Sequence, residues 1–421
     1  MSTDDALVSF KTEAWKDTGM VAGYAQRMHE NRGTNRLKNE VEVDLCREHV
    51  TGDRILDVGI GTGRGSLPLV RAGKAVTGID VSQAMLDQCR REAGDTPIDL
   101  LTGDLTKLPV PDASFDSIVS LNVVVHFPNW RDALADWARV VRPGGRLVFD
   151  VHSSDHLEAV GAVSGVAARD LLTPGQRDDP MQFMLRIGAR DVAEAAGASG
   201  LCVRALIPYA AVLGGGNVNY WLRDSRLFGY LGDRALSWLA VDPKLLAFGA
   251  FLERDVAGNL STSSTGRYMI VLEKTDDPAA TAGVLARHAA IDRAFAAGDA
   301  KAIRSAVGPA ADGWPAALAE HLRHAPNRAL LAMALCAPAA ALVRPLVEDV
   351  LGAEAARRAY DGHTRARIDE AALALIRTWR AEPETAEQLR FNGVDLGPTL
   401  EYDLMRDVLD AHFFAAQRSA S

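Results

Sequence analysis

Between about residue 53 and residue 274, short β-branched runs alternate with helical stretches, and this alternation constrains the chain more than any other feature. A strand followed by a helix and then by a second strand lies parallel to its successor, because the helix carries the chain back across the sheet. Strands are expected over 54–59, 75–80, 98–103, 115–121, 146–151, 202–209 and 267–274. Seven such runs specify one α/β domain, a mostly parallel sheet with helices on both faces. The domain is expected to occupy 51–275, preceded by a helical cap over 1–50. An insertion at 210–266 separates the sixth strand from the seventh, and insertions of that length are more often functional than idle.

The segment Asp276-Asp277-Pro278 closes the last strand, and an Ala-rich pattern with almost no strand signal follows. Helices are expected over 280–297, 300–307, 314–324, 327–350, 353–360, 368–380 and 400–416, which makes 279–421 an all-α C-terminal domain. Its Leu and Ala stripes at helical spacing read as core, and it is a candidate surface for self-association.

The chemistry is written in the first strand-to-helix turn, Ile55-Leu56-Asp57-Val58-Gly59-Ile60-Gly61-Thr62-Gly63-Arg64. Main-chain N–H groups and a helix start face whatever binds there, and the absence of Cβ atoms lets a ligand come close. The fingerprint G-x-G-x-x-G would place its third glycine at position 64, where Arg64 stands, so a nicotinamide dinucleotide is disfavoured. Arg64 reads as a solvated first-turn residue. The second strand ends at Asp80, where a carboxylate can accept both hydroxyls of a ribose. After the third strand comes Gly103-Asp104-Leu105, an acid placed to accept from an adenine amine. Ser120-Leu121-Asn122 ends the fourth strand, and Arg142-Pro143-Gly144-Gly145 precedes the fifth.

These five ordered elements resemble the class I S-adenosylmethionine-dependent methyltransferases, in the branch that includes ubiquinone and menaquinone C-methyltransferases and many small-molecule enzymes. The resemblance is strong over 50–150 and weak over 151–275. It implies a Rossmann-like fold, S-adenosyl-L-methionine as cofactor, and methyl transfer to an O, N, S or C nucleophile of a small molecule. Carried onto this chain, it has Asp57, Gly59, Gly61 and Gly63 cradle the methionine part, Asp80 hold the ribose, Asp104 and Leu105 the adenine, and Asn122 line the end of the fourth strand. The Arg142-Pro143-Gly144-Gly145 turn would be structural. Ile60 departs from the small residue or Cys common in the family, which implies a shift at the binding wall. Tyr24, on an N-terminal helix, is placed either to cover the sulfonium or simply to pack.

In open α/β sheets, ligands bind beyond the carboxyl ends of the strands, which singles out His126 and His152 as general bases or as hydrogen-bonded structural histidines. Tyr209, Asn217, Asn219, Tyr220, Trp221 and Arg223 are candidates for an acceptor pocket, or for a lid. Two alternatives stay open. One is a non-catalytic cofactor-binding scaffold or regulatory subunit. The other is a different nucleotide-cofactor enzyme, such as an NAD(P)-dependent reductase or an enzyme moving the aminocarboxypropyl group.

Composition enters as a filter. Lys and Arg number 46 against 55 Asp and Glu, a net charge of -9, which disfavours the broad cationic face that nucleic acid requires. Cys46, Cys89, Cys202 and Cys336 are too scattered for a zinc site or a disulfide framework, so no metal is expected and a reducing cytoplasm fits best. Met1 to Phe10 carries Asp4 and Asp5 rather than a basic segment before an apolar one, so no secretory signal is expected. The longest apolar run, between Arg328 and Arg344, is interrupted by Pro338 and falls short of the ~20 residues of a bilayer span.

Overall fold

The computed structural model describes residues 3–29, 34–165, 167–172, 178–210, 243–297 and 300–324. Three helices come first: α1 (Thr3–Ala14), α2 (Thr18–His29) and α3 (Thr34–His49). The α/β alternation follows as β1 (Arg54–Val58), α4 (Leu67–Arg71), β2 (Ala75–Asp80), α5 (Gln83–Ala93), β3 (Asp99–Thr102), β4 (Phe115–Ser120), α6 (Trp130–Val140) and β5 (Val141–Ser153). Then come α7 (Ser154–Ser164), α8 (Ala168–Leu171), β6 (Arg186–Ile187), α9 (Ala189–Ala198), β7 (Cys202–Tyr209), α10 (Pro243–Phe251) and β8 (Arg267–Glu273). Beyond β8 the described chain forms α11 (Pro278–Ala296), α12 (Ala300–Val307) and α13 (Trp314–His324).

The sheet order is β3-β2-β1-β4-β5-β8-β7. The first five strands are parallel, and β8 enters antiparallel between β5 and β7. A dinucleotide-binding sheet would continue 4-5-6 in parallel, so the reversed pair marks a different member of the doubly wound class. The order reverses between β1 and β4, and in sheets of this kind ligands bind beyond the carboxyl ends of the strands at that point. Helix α6 shows how the sheet is covered: Trp130, Ala133, Leu134, Trp137 and Ala138 recur at helical spacing and are all buried. Trp137 also donates Nε1–H to the Leu105 carbonyl at 2.8 Å, so the indole is buried without an unpaired donor.

The structure adds detail that periodicity does not carry. The two-residue strand β6 pairs with the end of β5 and is too short to leave a pattern. Strand β5 begins at Val141 rather than at residue 146, because the Pro-Gly-Gly segment pairs across the sheet: Gly144 N–H donates to Lys274 O and Lys274 N–H to Gly145 O. A Cβ at Gly145 would sit 2.6 Å from the Asp116 carbonyl, which accounts for the second glycine.

The chain divides into two compact units, one of 1–209 with 260–292 and one of 210–259 with 293–421. This partition differs from one drawn at residue 279, and the anchoring of 260–292 explains why. Thr262 donates Oγ1–H to Asp155 and its N–H to His288, Ser261 donates to Asp292, and the Val203 N–H donates to Thr281. The loop before β8 and most of α11 are thereby tied to the sheet. Asn217, Asn219, Tyr220, Trp221 and Arg223, and the helices expected after residue 324, lie outside the described residues.

Candidate functional site: the crevice between β1 and β4

The chain leaves β1 through Gly59, Gly61 and Gly63 at φ +75°, +53° and +83°, backbone conformations that side chains with a Cβ rarely adopt. The three glycines do different work. A Cβ at Gly59 would meet Val123 Cγ2 at 2.4 Å, and one at Gly63 would meet Cys89 Sγ at 2.7 Å, so both permit close packing of the turn. A Cβ at Gly61 would find nothing nearer than Met85 Sδ at 3.9 Å, so this glycine leaves open space. Ile60 lies over Gly78 of β2, where a Cβ would come within 2.3 Å of Ile60 Cδ1. The bulk at position 60 is thus accommodated inside the sheet by a glycine on the next strand.

Asp80 ends β2 and points at this turn. Its Oδ2 accepts the Gly61 N–H and its Oδ1 the Ser82 N–H, each at 2.9 Å, and burial pushes the carboxyl up against the pull of those bonds. Asp57 is buried beneath the turn and accepts Ser66 Oγ–H at 2.6 Å. Burial, with a contribution from Asp80, raises its carboxyl to about 7. Asp104 is exposed, and its Oδ1 accepts both the N–H and the hydroxyl of Thr106 at 2.8 Å. Leu105 is buried. Because β3, β2 and β1 are neighbours, the glycine turn, Asp80 and Asp104 follow one another along one end of the sheet.

Asn122, just past β4, has a left-handed φ of +59°. Its N–H donates to Asp150, and its Oδ1 accepts from Lys38 at 3.3 Å and from Arg267 at 2.8 Å. The amide Nδ2 is buried without a partner. An unpaired buried donor of this kind costs about 1–3 kcal/mol unless something else binds it.

His126 closes the short 3-10 turn after β4, with Nδ1 buried and unpartnered. Burial, then Lys11 and Arg267, pull its imidazole down to about 3, so it stays neutral. Trp15 packs on it with ring centroids 5.7 Å apart, and Tyr24 meets Trp15 edge-on at 5.6 Å. The N-terminal helices therefore bring Tyr24 and His126 to the same aromatic cluster through a tryptophan. His152, buried within β5, differs from His126: its Nε2 accepts from the Arg267 guanidinium at 3.0–3.2 Å, and burial and that cation hold it neutral.

Residues with no motif complete the site. Arg64 is buried rather than solvated; it donates to Asn39 and forms an ion pair with Glu42 of α3, so the expectation drawn from its place in the first turn is corrected. The turn faces a packed helix there, and a guanidinium enclosed between them takes a carboxylate partner. The Tyr209 hydroxyl lies 2.8 Å from Glu42 Oε1 and 3.1 Å from Asp150 Oδ2 and can donate to either carboxylate. Lys38 and Arg267 approach Glu42 at 3.6 and 3.5 Å. These cations hold the Glu42 carboxyl down at about 2 despite full burial. Two signals in the sequence carried this: Asp150 sits inside the apolar run Val148-Phe149-Asp150-Val151, and Lys38 and Glu42 are four apart beside Leu37, Val41 and Leu45.

Among the described residues no group of His, Cys, Asp and Glu is arranged to hold a metal ion, and no helix is long and apolar enough to cross a membrane.

Residues 56–149 match the family profile described as a methyltransferase domain. Among curated proteins, the demethylmenaquinone methyltransferase of Tropheryma whipplei is 36% identical over 140 residues, 32% of this chain and 53% of the relative. An O-methyltransferase of Penicillium expansum is 39% identical over 157 residues, 36% of this chain and 56% of the relative. The phosphatidylethanolamine N-methyltransferase of Cereibacter sphaeroides is 38% identical over 132 residues, 30% and 64% of the two chains. The chain thus spans about half to two thirds of the length of these relatives. A solved S-adenosylmethionine-dependent methyltransferase of Mesorhizobium loti aligns with a TM-score of 0.37 at 18% identity, over 55% of this chain and 95% of its own. The glycine turn, Asp57, Asp80 and Asp104 all lie inside the segment 56–149 that matches the methyltransferase-domain profile.

Proposed function

We propose that the α/β unit transfers the methyl group of S-adenosylmethionine to a small-molecule acceptor. The observation that carries this is the convergence, at the β1–β4 switch point, of an open glycine turn, the Asp80 carboxylate bonded to that turn, and the unpaired Asn122 amide. The residues fit the cofactor. Gly61 leaves room where a Cβ would intrude, and Asp80 has lone pairs for ribose hydroxyls beyond its two backbone bonds. Asp104 can receive the adenine amine beside Leu105, Tyr24 is a candidate cover for the sulfonium, and Asp57 fixes the turn through Ser66.

When bound, the cofactor supplies a methyl on a sulfonium that already has a good leaving group. The chain then has to align nucleophile and methyl and keep water out. The N-terminal cap over 1–50 is proposed as cover. Of the two histidines, His126 is the proposed base: the Nδ1 of each is without a partner, but His152 Nε2 accepts from Arg267, so its Nδ1 carries the ring proton and has no lone pair to offer. His152 would act by positioning Arg267. The acidic balance and dispersed cysteines support a cytoplasmic setting, and the helical C-terminal region is a proposed self-association surface.

The test is calorimetry with S-adenosylhomocysteine, followed by incubation with radiolabelled S-adenosylmethionine and a metabolite extract. Binding together with a labelled product supports the proposal; binding without any product makes the chain a non-catalytic binder, and no binding defeats it. With an acceptor in hand, His126→Ala should lower turnover by about a hundredfold if the histidine is a base.

A further inference from the structure

Among the described residues, five mutually facing charged groups are enclosed beside Asn122: Lys38, Arg64 and Arg267 against Glu42 and Asp150. That leaves one cation in excess. Asp57, the next acid, faces Arg64 but is bonded to Ser66 and is raised to about 7. An enclosed charge without a counter-charge is unfavourable, and Lys38 bears most of that cost while keeping its proton near neutral pH. Burial first, and then Arg267, draw its ammonium down to about 8.

Asn122 stands between the cations. With Lys38 and Arg267 both donating to Oδ1, the amide has a single sensible orientation, because the reverse would aim an NH2 group at two cations. Nδ2 therefore turns away from them and is left without an acceptor. Arg267 Nη1 is also without a hydrogen bond; its nearest carboxylates are at 3.5 and 3.7 Å. Two buried donors without hydrogen bonds, one on Asn122 and one on the Arg267 that bonds it, together with a surplus positive charge are complementary to an oxygen group bearing negative charge.

We propose that the acceptor is an organic monoanion whose charged oxygen group seats against Lys38, Arg267 and the Nδ2 of Asn122. The inference rests on the methyl-transfer reading and narrows its acceptor class. The place of the cations favours the acceptor over the amino-acid tail of the cofactor. Arg267 is on β8 and leans on His152 of β5, and Lys38 meets it at Asn122 past β4, whereas the one cation of the network that belongs to the glycine turn, Arg64, is taken up by Glu42.

The experiment uses the full chain saturated with S-adenosylhomocysteine and titrated with benzoate, salicylate and cinnamate, and separately with the three corresponding amides. The acids should bind about tenfold more tightly than the amides, as expected for a charge-assisted contact. Lys38→Met should remove most of that preference and leave the affinity for S-adenosylhomocysteine within about twofold. Lys38→Gln repeats the test if the first variant is poorly folded. Equal binding of acids and amides by the unaltered chain overturns the inference. So does a Lys38→Met variant that weakens S-adenosylhomocysteine but not 5′-methylthioadenosine, since the cation would then belong to the cofactor carboxylate. Failure of the unaltered chain to bind S-adenosylhomocysteine at all would instead defeat the methyl-transfer reading.

Discussion

The two sides of the crevice are built on different principles. On the β1–β2–β3 side the groups facing the cleft belong to turns that immediately follow strands: glycines at positive φ, and acids held by backbone N–H groups one or two residues away or on the adjacent turn. On the β4–β5–β8–β7 side they are side chains brought from α3, the β4 end, β5, β7 and β8 into one buried charged network. The first side is local and tolerates neighbours; the second exists only when distant parts of the chain have docked. A cofactor common to a family suits the first kind of construction, and an acceptor that varies suits the second.

Substitutions can test that division. The largest effect is expected on the networked side. Arg267→Met removes the buried guanidinium that bonds His152 and Asn122 and pairs with Glu42 and Asp150, and should cost about 3–5 kcal/mol in denaturant unfolding. A loss under about 1 kcal/mol would mean that the network is not cooperative.

Next comes Asp57, whose carboxyl is raised to about 7 in the fold, against about 4 in an unfolded chain. Between those values the folded state holds the extra proton, so this group makes stability fall as pH rises from about 4 to about 7. Asp57→Asn removes that slope, roughly 2–4 kcal/mol over the window, and unfolding curves at pH 4.5 and 7 should draw closer together.

On the local side, Gly59→Ala and Gly61→Ala should part company. The first drives a methyl into Val123 and should cost about 1–3 kcal/mol of stability. The second enters open space, should cost less, and should lower cofactor affinity more than stability. Similar unfolding midpoints for the two would erase the distinction. The smallest expected effect is that of Asp80→Ala: about tenfold weaker S-adenosylmethionine binding by calorimetry, roughly 1.4 kcal/mol, with the fold retained.

The sequence by itself determined the strand-helix alternation, the glycine turn, and the acids at 57, 80 and 104, because each depends on periodicity or on residues close along the chain. It also carried three helices past residue 278 that the structure describes as α11, α12 and α13. Tertiary structure alone decided that β8 runs antiparallel between β5 and β7, that the loop before β8 and α11 are tied to the sheet, and that Arg64 is enclosed opposite Glu42. The physical reason is range. Turn geometry and amphipathic period are set by neighbours, whereas the partner of a buried charge is set by which distant strand or helix excludes water from it. Lys38 and Arg267 are 229 positions apart in the chain and reach the same amide oxygen.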